Sequence, residues 1–274
     1  MPTAINSSAI TLKAFFGYTR HPFPPSCSPE PLFRHEALEA ALDAVKNALM
    51  NRMHVLVTAA AGQGKSSFCR LLVSELNPRD LRAAYLVGQP VGPTEILHKV
   101  ADALGLETAW RRGQAAKLLT AGLQKLAASP GAAHPVLILD EAQQVSLEAI
   151  DLLRLVAEDG SHTLLSLVLA GDETLRRQLG RQAFAPLAGR MAVRIQIPPL
   201  SEEQTARFVE HAFQTVGMQN ILSPTAVAPV HAACGGSPRE IGAILSGAMR
   251  RAVAKRSKML TDEIVQEVID ERRS

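Results

Sequence analysis

Aromatic residues make up only 4% of this 274-residue chain: eight Phe, two Tyr and one Trp. A nucleic-acid binder that works by stacking bases on exposed rings is hard to assemble from so few, so any contact with DNA or RNA must run mainly through phosphates. Cysteine is equally sparse. Cys27, Cys69 and Cys234 are far apart and odd in number, form neither a zinc spacing nor a disulfide framework, and point to a reducing cytoplasm. No hydrophobic run is long enough to span a membrane. The longest stretch free of Asp, Glu, Lys and Arg, His211 to Pro238, is broken by Gly217, Pro224, Pro229, Gly235 and Gly236. The first residues lack the basic start and apolar run of a signal peptide. Net charge is small as well, a formal +3 from 29 basic and 26 acidic residues, which by itself neither supports nor excludes a polyanionic partner.

What is present is a folded composition, 47% hydrophobic and 20% charged, enough for one large or two modest domains. Residues 1–34, rich in Pro, Ser and aromatics (Phe15, Phe16, Tyr18, Phe23), read as an extended lead-in laid over a core. Leu38, Ala41, Leu42, Val45 and Leu49 recur at helical spacing between His35 and Arg52. Short apolar runs at 54–58, 83–87, 136–139, 164–170 and 194–197 alternate with helical patterns at 65–76, 93–104, 114–128 and 146–157. That alternation predicts an α/β fold over 35–199, a parallel sheet sandwiched by helices. After Pro198-Pro199 four helical patterns follow without a strand, at 201–216, 224–233, 238–255 and 261–272, so 200–274 is expected to be a small all-helical domain.

The strand at Val55 is followed by Ala59-Ala60-Ala61-Gly62-Gln63-Gly64-Lys65-Ser66-Ser67 and then a helix. Backbone N–H groups of Ala61 to Ser67 would form a positive nest for the phosphates of ATP. Lys65 would reach the β and γ phosphates and the Ser66 hydroxyl would serve Mg²⁺. The usual first glycine is replaced by Ala59. Farther on, Val136-Leu137-Ile138-Leu139 ends in Asp140-Glu141, an apolar strand that delivers two acids to the carboxyl edge of the sheet. Asp140 is the second candidate for Mg²⁺, and Glu141 the candidate to polarise the attacking water.

These two motifs, with Leu169-Ala170-Gly171-Asp172-Glu173, Arg190, Pro198-Pro199-Leu200-Ser201 and Gly235-Gly236-Ser237-Pro238-Arg239, resemble an AAA+ ATPase of the P-loop NTPase class. The likeness runs over about residues 12–250 and is nearest to the ExeA-like group, with the transposition regulators TnsC, TniB and MuB; Phe15-Phe16-Gly17-Tyr18 and His21-Pro22-Phe23 are similar to the start of that group. The resemblance implies an oligomer, a ring or filament, with a helical lid at 200–274. It places Asp172 as the polar sensor, where an amide is more usual, Arg190 as the arginine finger with Arg181 and Arg194 as rivals, and Arg239 as the second sensor. Phe23 would either pack against adenine or anchor the lead-in hydrophobically.

Charge distribution bears on what such an ATPase acts on. Between Glu107 and Asp140 the only charged residues are Arg111, Arg112, Lys117 and Lys125, and between Glu240 and Asp262 they are Arg250, Arg251, Lys255, Arg256 and Lys258. The rest of the chain carries 20 basic and 26 acidic residues, a net −6. Each stretch is either a solvated helix face or a phosphate-contacting patch, and Lys99, Arg111, Arg112 and Lys117 are the candidate DNA contacts. The expected function is an ATP-hydrolysing, cytoplasmic regulator of transposition that assembles on duplex DNA and recruits a transposase and its target selector, with no membrane partner. A secretion-type ATPase is the alternative, against which the lack of a membrane span weighs. A nucleotide-gated scaffold with little turnover is a third reading, and helicase loading or replication initiation a weaker fourth.

Overall fold

Near-continuous burial along the inner strands decides the architecture. In the computed structural model, which describes residues 11–24, 32–160 and 162–273, five parallel strands lie in the order β2-β3-β6-β1-β7. They are β1 (His54–Thr58), β2 (Leu81–Val87), β3 (His134–Asp140), β6 (Ser166–Gly171) and β7 (Met191–Gln196). A two-residue pair, β4 (Glu158–Asp159) with β5 (His162–Thr163), forms a separate antiparallel hairpin. The three inner strands are apolar along nearly their whole length because both faces are covered. Leu56, Leu137, Leu139, Leu167 and Leu169 face one layer, with α4 (Pro93–Leu104), α5 (Arg112–Ala128) and α6 (Leu147–Ala157). Val55, Val57, Val136, Ile138, Val168 and Ala170 face the other, with α2 (Glu36–Met50) and α3 (Lys65–Glu75). The α/β sandwich expected from the sequence is present.

The chain divides into two compact units, one from Arg34 to Pro198 and one made of the segment up to Phe33 with the chain from Pro199 onward. The second unit holds α9 (Glu202–Gln214), α10 (Val227–Cys234), α11 (Pro238–Ala254) and α12 (Asp262–Arg273). Its core joins Val209, Phe213, Ile241, Leu245, Met249, Leu260 and Val265 to Tyr18 of the lead-in. Ser201 and Gln204 close a capping box that starts α9 sharply. Gly236 is required by packing, since a Cβ there would overlap the Leu200 carbonyl.

The lead-in departs from the expected extended chain. Leu12–Phe16 form a one-turn helix, α1, with the Thr11 hydroxyl accepting from the Ala14 N–H and Gly17 closing it at φ 75°. Cys27 and prolines Pro25, Pro29 and Pro31 lie outside the described residues. Two short helices in the α/β unit, α7 (Glu173–Leu179) and α8 (Ala185–Arg190), were also not anticipated.

Candidate functional site

The strand order sets the site. β1 lies between β6 and β7, and the chain leaving β1 turns at the carboxyl edge of the sheet into α3. Gly62 (φ 83°) and Gly64 (φ 86°) supply the left-handed backbone of that turn, and nothing lies within 4 Å of the place a Gly64 Cβ would take. Gly64 is the N-cap of α3, and no side chain caps that end. Lys65, the first residue of α3, is 6% exposed, an unusual depth for an ammonium.

Opposite it stand the acids that end β3. The Lys65 ammonium lies 3.2 Å from Glu141 Oε1. Glu141 adopts φ 52°, a left-handed conformation that is strained for a residue with a Cβ, and the side-chain amide of Gln143 donates to its Oε2 at 2.6 Å. Asp140 is 1% exposed. Its Oδ1 accepts the Glu141 N–H at 2.9 Å and its Oδ2 accepts the Tyr85 hydroxyl at 2.9 Å. Burial, and then the bond to Asp140, raises the Tyr85 phenol above its ordinary value, so it stays a donor. Burial likewise pushes the Cys69 thiol up, with Asp140 adding to it, which makes that cysteine inert. The approach of β2 to these acids depends on Gly88, whose N–H donates to the Asp140 carbonyl at 2.6 Å and whose Cβ would overlap the Glu141 carbonyl.

A helix N-terminus without a side-chain cap, a buried cation and open space at Gly64 fit the phosphates of a nucleotide. A buried carboxylate with lone pairs to spare at a strand end, together with the Ser66 hydroxyl one residue past Lys65, fits a hard divalent cation such as Mg²⁺. The fold thus brings Lys65 of the first motif against Glu141 of the second. Sequence reasoning missed Tyr85 and Gly88, and gave Gln143, two places beyond Glu141, no role of its own.

The remaining candidates have other surroundings. Asp172 is the N-cap of α7, its Oδ1 accepting from Thr174 N at 2.8 Å and Leu175 N at 3.3 Å. Arg190 ends α8 with its side chain 58% exposed, 3.6 Å from Glu158 Oε1. Among its rivals, Arg194 donates to the Ala188 carbonyl at 2.7 Å and Arg181 is the N-cap of a single 3₁₀ turn. Arg239 is exposed in the first turn of α11. Phe23 makes the contacts of a hydrophobic anchor in the helical unit, edge-on to Phe213 with ring centres 5.4 Å apart and against Gly242.

The two basic stretches prove unlike. In the second, Arg251 pairs with Glu267 and Glu271, and Lys255 with Glu263 and Glu267. The Lys258 ammonium bonds the Phe15 carbonyl and lies over that ring. Two of the five cations of the second stretch are thus paired with acids of α12. In the first, Arg111, Lys117 and Lys125 are exposed, and the ion pair Arg112 makes with Glu148 is loose at 3.8 Å. Lys99 lies 3.7 Å from Glu95 Oε1 and 3.5 Å from the side-chain oxygen Oε1 of Gln89. No helix among the described residues is long and apolar enough to cross a membrane.

Residues 48–179 match the family model described as an AAA domain. General secretion pathway protein A of Aeromonas hydrophila is 29% identical over 249 residues, 89% of this chain but 45% of that protein, so the chain spans less than half the length of this curated relative. Among solved structures, the ORC2 protein of Aeropyrum pernix, determined as ADPNP-ADP complexes, superposes with a TM-score of 0.69 at 17% identity over 92% of this chain and 71% of that one. The ORC1 protein of the same organism, determined with DNA, gives 0.68 at 19% identity over 91% and 68%. The fold is that of these solved structures.

Proposed function

We propose that this chain is an ATP-dependent, oligomerising regulator of DNA transposition that associates with duplex DNA and recruits a transposase and its target selector. The observation that carries the ATP-driven part is the 3.2 Å contact between buried Lys65 and Glu141, which joins the phosphate loop to the acid that serves water attack. The open cations of the first basic stretch support the DNA partner.

The chemistry rests on positioning and charge. Backbone amides of Ala61 to Ser67 receive the phosphates, and Gln63 and Ser67 flank the lysine in that cradle. Lys65 exchanges Glu141 for the β and γ phosphates. Glu141, released on one side and still held by Gln143, then orients and polarises the attacking water. Ser66 and Asp140 would hold Mg²⁺, which would supply positive charge beside the phosphate oxygens. Tyr85 fixes the Asp140 carboxylate. Arg190 is assigned as the finger offered to a neighbouring subunit, an interaction worth about 10³- to 10⁵-fold in rate where it operates. Asp172 and Arg239 are assigned as sensors on the resemblance.

Duplex DNA association measured at low salt with ATP and Mg²⁺ tests this reading. Binding that requires ATP and weakens steeply with salt is expected; none at low salt overturns it. The similarity to General secretion pathway protein A favours a second reading, a secretion-type ATPase, under which DNA leaves hydrolysis unchanged. Single-turnover hydrolysis of Glu141→Gln against the parent separates both from a nucleotide-gated scaffold, for which the two would not differ.

A further inference from the structure

Trp110, the only tryptophan of the chain, is 92% exposed. It lies in the short connection from α4 to α5, held rather than loose. The His98 ring stands edge-on to the indole at 5.9 Å, and the His98 Nε2 is 2.7 Å from the Ala109 carbonyl. A large exposed ring is informative here through its company: it is fixed in place by His98 and set beside a run of exposed cations. Arg111 and Arg112 follow directly, Lys117 and Lys125 lie on the outward side of α5, and no acid occurs from residue 108 to 139. The first turn of α5 contains no acid either, and its two arginines oppose the helix macrodipole there, so they do not serve the helix.

We propose that Trp110, Arg111 and Arg112 form a duplex-DNA contact in which the indole wedges against the base pairs while the two guanidinium groups hold flanking phosphates. This rests on the DNA-binding reading above and adds to it a residue of a kind that phosphate contacts alone do not require. Charge complementarity commits the occupant to a polyanion: two exposed arginines follow Trp110 directly and no acid occurs from residue 108 to 139.

The single tryptophan makes the test site-specific. The 274-residue chain with a non-hydrolysable ATP analogue and Mg²⁺ is titrated with duplex DNA, following Trp110 emission and, in parallel, the anisotropy of a labelled duplex. Emission is expected to be quenched with the same midpoint as the anisotropy. Trp110→Ala should weaken the duplex about tenfold and leave DNA-free hydrolysis unchanged. The Arg111→Ala, Arg112→Ala pair should lower the slope of log affinity against log salt by about two. Anisotropy that rises while emission stays constant overturns the Trp110 contact and leaves the DNA reading standing; neither signal moving overturns both. Emission that follows protein concentration instead of DNA identifies a contact between copies and overturns the proposal, as does tighter quenching by a single strand of the same sequence.

Discussion

The two units of this chain treat charge differently. The α/β unit buries a lysine and an aspartate, Lys65 and Asp140, beside the carboxyl edge of its sheet. Among the described residues, the buried polar side chains of the helical unit are Thr205 and Ser237, both neutral, and its ions pair along the surface of α11 and α12. Burying an ion costs several kcal/mol unless its partners repay it. Lys65 has one paired carboxylate, itself 36% exposed, so its depth is poorly explained by stability and well explained by a ligand that brings negative charge. The helical unit is built as a fold builds itself, and the edge of the sheet is built at the expense of the fold.

The sharpest way to break that contrast is at the site. Glu141→Gln should lower hydrolysis about 10²- to 10⁴-fold while nucleotide binding survives, measured by single turnover beside equilibrium binding. Lys65→Met should abolish binding yet leave the thermal midpoint of the nucleotide-free protein unchanged or higher, because an apolar chain of similar volume replaces a buried ammonium. A clear fall in that midpoint would mean that Lys65 serves the fold after all. In the helical unit the order reverses: Leu245→Ala, at a fully buried position, should cost about 2–5 kcal/mol in denaturant unfolding, with nucleotide affinity retained where the protein remains folded.

How far the sequence reveals all this follows the same divide. The inner strands were legible because burial on both faces demands unbroken apolar runs, and the phosphate loop because its glycines serve a backbone shape. The edge strand β7 was read late, from Arg194, because only Met191 of its six residues is fully buried, with Val193 and Ile195 half-covered. α7 and α8, at seven and six residues, are too short for helical periodicity to register. Tyr85 lies 55 residues from Asp140, and a pairing of that span leaves no local trace. The fate of the second basic stretch was traceable in principle: Glu263, Glu267 and Glu271 recur every four residues, an acidic stripe along α12 that a tally of acid-free windows overlooks.

A smaller effect separates the units by pH. His134, beside Ser166 at 2.9 Å, is lowered to about 4, chiefly by burial and then by Arg52. It remains neutral in the folded chain well below the unfolded value near 6.5, so between those values the unfolded state binds more protons. Its contribution is therefore complete above about pH 6.5 and is lost as pH falls toward 4, on the order of 2 kcal/mol after allowing for partial solvent screening. Unfolding of the parent and of His134→Gln, followed from pH 7 to pH 4, should converge as the pH drops; parallel curves would show that another group carries the acid sensitivity.

The smallest change in stability carries the most information about the basic stretches. Glu267 accepts from both Arg251 and Lys255, which makes it the hub that cancels charge along α11. All three side chains are about one-third exposed, so replacing the carboxylate should cost less than about 1 kcal/mol. Glu267→Gln nevertheless raises the local charge by one and releases two cations from their shared partner. If neutralisation by α12 is what keeps this stretch from acting as the first one does, the variant should bind duplex DNA several-fold tighter at low salt, with the gain vanishing near physiological ionic strength. An unchanged affinity would mean that the two stretches differ by more than their pairing, and that the geometry around Trp110, instead of open charge alone, selects the first.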